Sequence, residues 1–199
     1  MVVITCTDSI HDEVAVINQL FEAGLAVLHI RKPNATLSEI QYYIEQIRHE
    51  YHSKLALHEY FELTKLFNIN RLHFTENTRT DFKIIMQRLE SKDWIFSAAT
   101  HSISDFNALP NIFSYAFLSP VYNSISKPGY ESPHDIKASV HQRINTQTKL
   151  VALGGISSIN CKEAVASGFD GVALLGAIWS ADDPLTEFKK CQQALNYVQ

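Results

Sequence analysis

Eight short apolar runs alternate with helix-like segments along one 199-residue chain, and the last two runs end in glycine turns. Together these observations predict a single (β/α)8 TIM barrel spanning residues 1–199, with a phosphate site at the βα loops after strands 7 and 8. Strands separated by helices pair in parallel, because each must cross back over one surface to reach its neighbour. A doubly wound open sheet is the competing arrangement. The even spacing and the count of eight favour closure.

The elements follow in order. Val2–Cys6 reads as the first strand, and Asp8 opens a helix running to about Gly24. Leu25–Arg31 is the second strand. Thr36 with Glu39 three residues on has capping-box spacing, starting a helix that reaches about His52. Lys54–His58 and Arg71–Phe74 are strands three and four, with helical segments at Phe61–Phe67 and Asp81–Leu89. Trp94–Ala98 is the fifth strand, with a short helical turn at Ser102–Asn107. Ser114–Leu118 is the sixth, leading into a polar loop from Ser119 to Pro133. Thr148–Leu153 and Asp170–Leu174 complete the set, with helices at Ser157–Ser167 and Pro184–Tyr197.

The glycine turns carry the first functional signal. Five of the seven glycines (Gly154, Gly155, Gly168, Gly171, Gly176) fall in the last quarter of the chain. A buried strand that turns into a helix leaves backbone N–H groups free, and glycine lets a ligand reach them unobstructed. With the positive end of the helix dipole, two such turns side by side suit a phosphate. Gly154, Gly155 and Gly176 are the candidates; Gly168, following a helix, serves a tight turn.

Bulk properties narrow the class. Hydrophobic residues make up 46% and charged residues 19%, with a formal net charge of −4, which reads as a globular protein with no nucleic-acid or membrane-surface character. Apolar runs fall short of the roughly 20 residues of a membrane span. The N-terminus has no basic region ahead of an apolar stretch, and three widely spaced cysteines make neither a disulfide framework nor a CxxC site. A cytoplasmic, reduced setting follows.

In a closed barrel the active site lies where strands end. That rule selects His29, Arg31 and Lys32 after strand two, and His58 and Glu59 after strand three. It selects His73 through Asn77 after four, Thr100 and His101 after five, and Ser119 through Tyr130 after six. The set is rich in cations, hydroxyls and glycine, with Glu59 and Glu76 its main acids. Arg31 offers a guanidinium fork for phosphate oxygens. Lys127 lies in a hydroxyl- and glycine-containing loop able to fold over an anion. Glu59 is a candidate Mg²⁺ ligand beside a diphosphate.

Leu28–Pro33, Ser97–His101, Phe117–Lys127, Ala152–Ile156 and Gly168–Ile178, in that order and spacing, resemble the thiamine-phosphate synthase family and its thiazole-tautomerase-like branch. The resemblance implies coupling of a hydroxymethylpyrimidine diphosphate to a thiazole phosphate, with release of diphosphate. Arg31 and Lys127 would then hold the diphosphate, helped by Ser124 and Ser126, with Mg²⁺ on Glu59. Gly154, Gly155, Leu175 and Gly176 would hold the thiazole phosphate, and the pyrimidine would lie near His29. Lys32, His58 and His101 join the substrate-binding set, and a homodimer is the assembly the resemblance allows.

Departures accompany it. Where the synthase pattern has Gln-x-Arg-x-Lys, this chain has His29, Arg31 and a lysine one place early. Its Asn-Asp pair is His58-Glu59 here, and no carboxylate stands near Thr78, with Glu76 the nearest. Ala99 replaces a serine, and Pro120 occupies the place of the tautomerase histidine. Two other readings remain: a thiazole phosphate isomerase using His101 or His29, and a non-catalytic binder of the phosphorylated thiazole or thiamine phosphate.

Overall fold

The computed structural model describes residues 1–8, 10–88, 93–123 and 136–196. Strands β1 (Val2–Ile4), β2 (Val27–Ile30), β3 (Leu55–Leu57), β4 (Arg71–Phe74), β5 (Ile95–Thr100), β6 (Phe113–Leu118), β7 (Lys149–Ala152) and β8 (Gly171–Leu174) pair in sequence order and close, β8 on β1, into an all-parallel barrel. The register runs Ile4 to His29 to Ala56, and His73 to Ser97 to Tyr115. Around it lie α1 (Glu13–Glu22), α2 (Leu37–Gln46), α3 (Glu76–Arg79), α4 (Phe82–Arg88), α5 (Ile103–Asn107), α6 (Ile136–Ser139), α7 (Cys161–Ala166), α8 (Gly176–Trp179) and α9 (Pro184–Asn196). Among the described residues, no helix is long and apolar enough to cross a membrane, and all three cysteines are free.

Side chains alternate across each strand. Val3, Leu28, Ile30, Leu55, Leu57, Leu72, Phe74, Phe96, Leu118, Leu150 and Val172 pack outward, against the helices, in the main core. Val2, Ile4, Phe117, Val151 and Ala173 form a second, smaller cluster inside the barrel. The inner cluster is small because the remaining inward positions are polar.

Three helices differ from their expected spans. Asp12 takes a left-handed conformation (φ 60°), so α1 starts at Glu13 instead of near Asp8. The Thr36–Glu39 capping box forms as expected. However, α2 stops at Gln46, because Ile47 is extended and the Arg48 N–H goes to Asn18 Oδ1 at 3.1 Å; a 3₁₀ segment, His49–Lys54, follows. Beyond β7, Asn160 Oδ1 accepts from Ser157 N–H and holds a turn there, delaying α7 to Cys161.

Candidate active site

Strand alternation dictates the polar centre. Counting inward by twos gives Val27 and His29 on β2 with Arg31 just past its end, Ala56 on β3 with His58 just past its end, Arg71 and His73 on β4, Ser97 and Ala99 on β5, and Tyr115 and Phe117 on β6. Parallel neighbours bring the three histidines together. His29 Nδ1 lies 2.9 Å from His58 Nε2, and His29 Nε2 lies 2.6 Å from the Tyr115 hydroxyl. His73 Nδ1 meets Ser97 Oγ at 2.9 Å.

Burial holds all three histidines neutral. His73 is depressed to about 3, first by desolvation and then by the charges of Arg31 and Arg79. His29 and His58 are lowered by desolvation, then by their histidine neighbours and by Arg71 and Arg31 respectively. Desolvation pushes the Tyr115 hydroxyl up to about 12.

Above this layer a cavity of about 380 Å³ opens at the strand ends, lined by Arg31, His58, His73, Thr75, Glu76, Asn77, Ala99, His101, Phe117 and Leu175 among others. The Arg31 backbone is clamped by buried Thr5, whose Oγ1 accepts from Arg31 N–H at 2.9 Å and donates to Arg31 O at 3.1 Å. Among the described residues the Arg31 guanidinium makes no ion pair. His101 Nδ1 bonds Ser119 O at 3.1 Å.

The glycine turns have a packing role of their own. Gly154 sits at φ +96° and Gly155 at φ +64°. A Cβ on Gly154 would stand 2.8 Å from Pro120 Cα, and one on Gly155 2.3 Å from Asn123 O. The segment after β6 is laced down here, with Val121 N–H on Leu153 O and Tyr122 N–H on Gly154 O. Among the described residues, the N–H groups of Gly154, Gly155, Leu175 and Gly176 donate to no protein acceptor.

The sequence-selected residues therefore divide. Arg31, His58, His101 and Leu175 meet on one cavity, with Gly154, Gly155 and Gly176 in the adjoining turns. His29 is 0% exposed with both ring nitrogens occupied, so it lies beneath the mouth and is not a surface for the pyrimidine. The isomerase reading thereby keeps His101 alone as its proton carrier.

Lys32, expected among the substrate-binding residues, is engaged elsewhere. Strand alternation turns it away from Arg31, and its Nζ pairs with buried Glu13 at 2.6 Å. That pair borders a separate hollow of about 740 Å³ against α1 and α2, outside the barrel. Glu59 is exposed and does not line the mouth cavity; Glu76 is the acid that does. Ser124, Ser126 and Lys127 lie outside the described residues. Tyr115 and Ser97 escape a reading of strand ends because they sit inside β6 and β5, though the two-residue alternation marks both as inward; Thr5, just past β1, carries no ionisable group that would single it out.

A sequence profile described as thiamine monophosphate synthase matches residues 1–178. The chain belongs to the thiamine monophosphate synthase family. It is 25% identical over 144 residues to the thiamine-phosphate synthase of Streptococcus suis, a match covering 71% of this chain and 61% of that protein. It is 22% identical over 181 residues to the enzyme of Caldicellulosiruptor saccharolyticus, covering 89% of this chain and 81% of the relative. The fold superposes with a TM-score of 0.77 on thiamine phosphate pyrophosphorylase from Bacteroides thetaiotaomicron, at 24% identity over 100% of this chain and 98% of that one. The Pyrococcus furiosus protein of the same description gives 0.77 at 17% identity, covering 99% and 95%. Membership of the synthase family places the chain among transferases of thiamine biosynthesis.

Proposed function

We propose that this protein couples hydroxymethylpyrimidine diphosphate to thiazole phosphate, forming thiamine phosphate and diphosphate. The observation that supports it most is that, among the described residues, Arg31 has no ion-pair partner on a mouth cavity adjoining the β7 and β8 turns, whose N–H groups likewise meet no acceptor. A fixed cation beside uncommitted donors suits two substrates that each carry phosphate.

In the coupling, the bond from the pyrimidine methylene to the diphosphate oxygen breaks, and its electron pair stays on oxygen. Arg31 faces the charge that develops there, with Lys127 assisting by family resemblance. The thiazole ring nitrogen donates its lone pair to the cationic methylene, closing the C–N bond without a proton transfer. Phe117 gives the cavity an apolar wall. The turns at Gly154–Gly155 and Leu175–Gly176 orient the thiazole phosphate. Mg²⁺, which the family implies, takes oxygen ligands; Glu76 and the diphosphate would hold it, and it would offset the leaving group's charge.

The test combines both substrates with Mg²⁺ and follows thiamine phosphate. Turnover by wild type and a drop in kcat/KM of about 100-fold in Arg31→Gln are expected, the scale for losing one donor to a developing anion. No product from wild type, or unchanged kcat/KM in the variant, refutes the proposal.

A further inference from the structure

The coupling chemistry leaves the histidine cluster without a task. His29, His58 and His73 are 0%, 6% and 2% exposed. They each present a ring nitrogen such that all three atoms lie within 4.8 Å of one another. The outer partners are also in place. His29 Nε2 is held by the Tyr115 hydroxyl and His73 Nδ1 by Ser97 Oγ, as metal-ligating imidazoles are held by groups on their other nitrogen.

The geometry points to a binding site for one divalent transition metal of the Zn²⁺ class, held by His29, His58 and His73 at the floor of the barrel mouth. Imidazole donors select Zn²⁺, Co²⁺, Ni²⁺ or Cu²⁺ over Mg²⁺ and Ca²⁺, so this site is chemically separate from any oxygen-ligated ion beside a diphosphate. His29 Nδ1 and His58 Nε2 stand 2.9 Å apart and share one hydrogen. A metal in its place needs about 3.3 Å between nitrogens, from Zn–N bonds of about 2.0–2.1 Å, a small separation. The third nitrogen closes on the ion by ring rotation of His73, whose ring now stacks on His58 at 4.1 Å and 30°. His58 and His73 line the cavity. A fourth coordination position therefore opens toward it, the three-histidine arrangement of catalytic rather than structural zinc.

The test titrates metal-free protein with Co²⁺ and reads the visible d–d bands of a tetrahedral or five-coordinate ion. One equivalent bound and displaced by Zn²⁺ is expected, with affinity falling at least about tenfold in His73→Gln and in His58→Asn. Wild type that develops no stoichiometric band, or bands unchanged in both variants, overturns the site. Should either variant lose its fold by circular dichroism, X-ray absorption of Zn²⁺-loaded wild type decides: three imidazole ligands support the site and fewer than three overturn it. These readouts report metal binding alone, so their failure and failure of the coupling reaction are distinguishable.

Discussion

Three neutral, buried histidines make stability steeply pH-dependent. Their folded-state affinities for protons lie below the ordinary value of 6.5, with His73 near 3. The unfolded chain therefore binds more protons than the folded one once the pH drops below about 6.5, and stability falls as pH falls. For His73 this loss continues down to about pH 3, where the folded protein also protonates. At pH 5 the unfolded state is favoured through His73 by about 1.5 pH units times 1.4 kcal/mol, or about 2 kcal/mol. His29 and His58, lowered by burial in the same sense, add to that loss. Urea unfolding at pH 7 and pH 5, followed by circular dichroism without added metal, measures the difference. Wild type should lose at least about 2 kcal/mol, and His73→Gln about 2 kcal/mol less than wild type, whatever the variant costs at pH 7. A wild-type loss below about 2 kcal/mol, or an identical loss in the variant, refutes the neutral-triad reasoning.

Lys32→Met leaves the Glu13 carboxylate buried without its cation and should cost about 3–5 kcal/mol in the same urea assay, with kcat of the folded enzyme unchanged. Gly155→Ala drives a Cβ toward Asn123 O in a left-handed conformation; a loss of about 1–3 kcal/mol and a raised KM for thiazole phosphate are expected from calorimetry and kinetics. Thr36→Ala removes the α2 capping box and should cost about 1 kcal/mol, read as a lowered Tm with activity intact. Glu76→Gln should raise the Mg²⁺ concentration needed for half-maximal turnover, and Glu59→Gln should not.

Much of the barrel was legible because its signals are local. A strand announces itself by a few apolar residues, a helix start by Thr36 and Glu39, and a βα turn by glycine; each is settled within one turn of chain. The outward face was equally legible, since Leu28, Ile30, Leu57, Leu72 and Phe74 need apolar cover. Arg31 was found for the same reason: it follows its strand directly. Lys32 falls outside the mouth because a one-residue step along a strand reverses the side-chain direction and carries its ammonium to Glu13.

What the sequence by itself determined is the order of strands and helices, the phosphate-suited turns and the cation at the second strand's end. What only the tertiary structure decided is proximity across strands. His29, His58 and His73 are 29 and 15 residues apart in sequence and become neighbours through barrel register alone. Closure also sealed His29 under the mouth and set Glu76, not Glu59, on the cavity. These outcomes depend on strand tilt and pairing, to which no local stretch of sequence is sensitive.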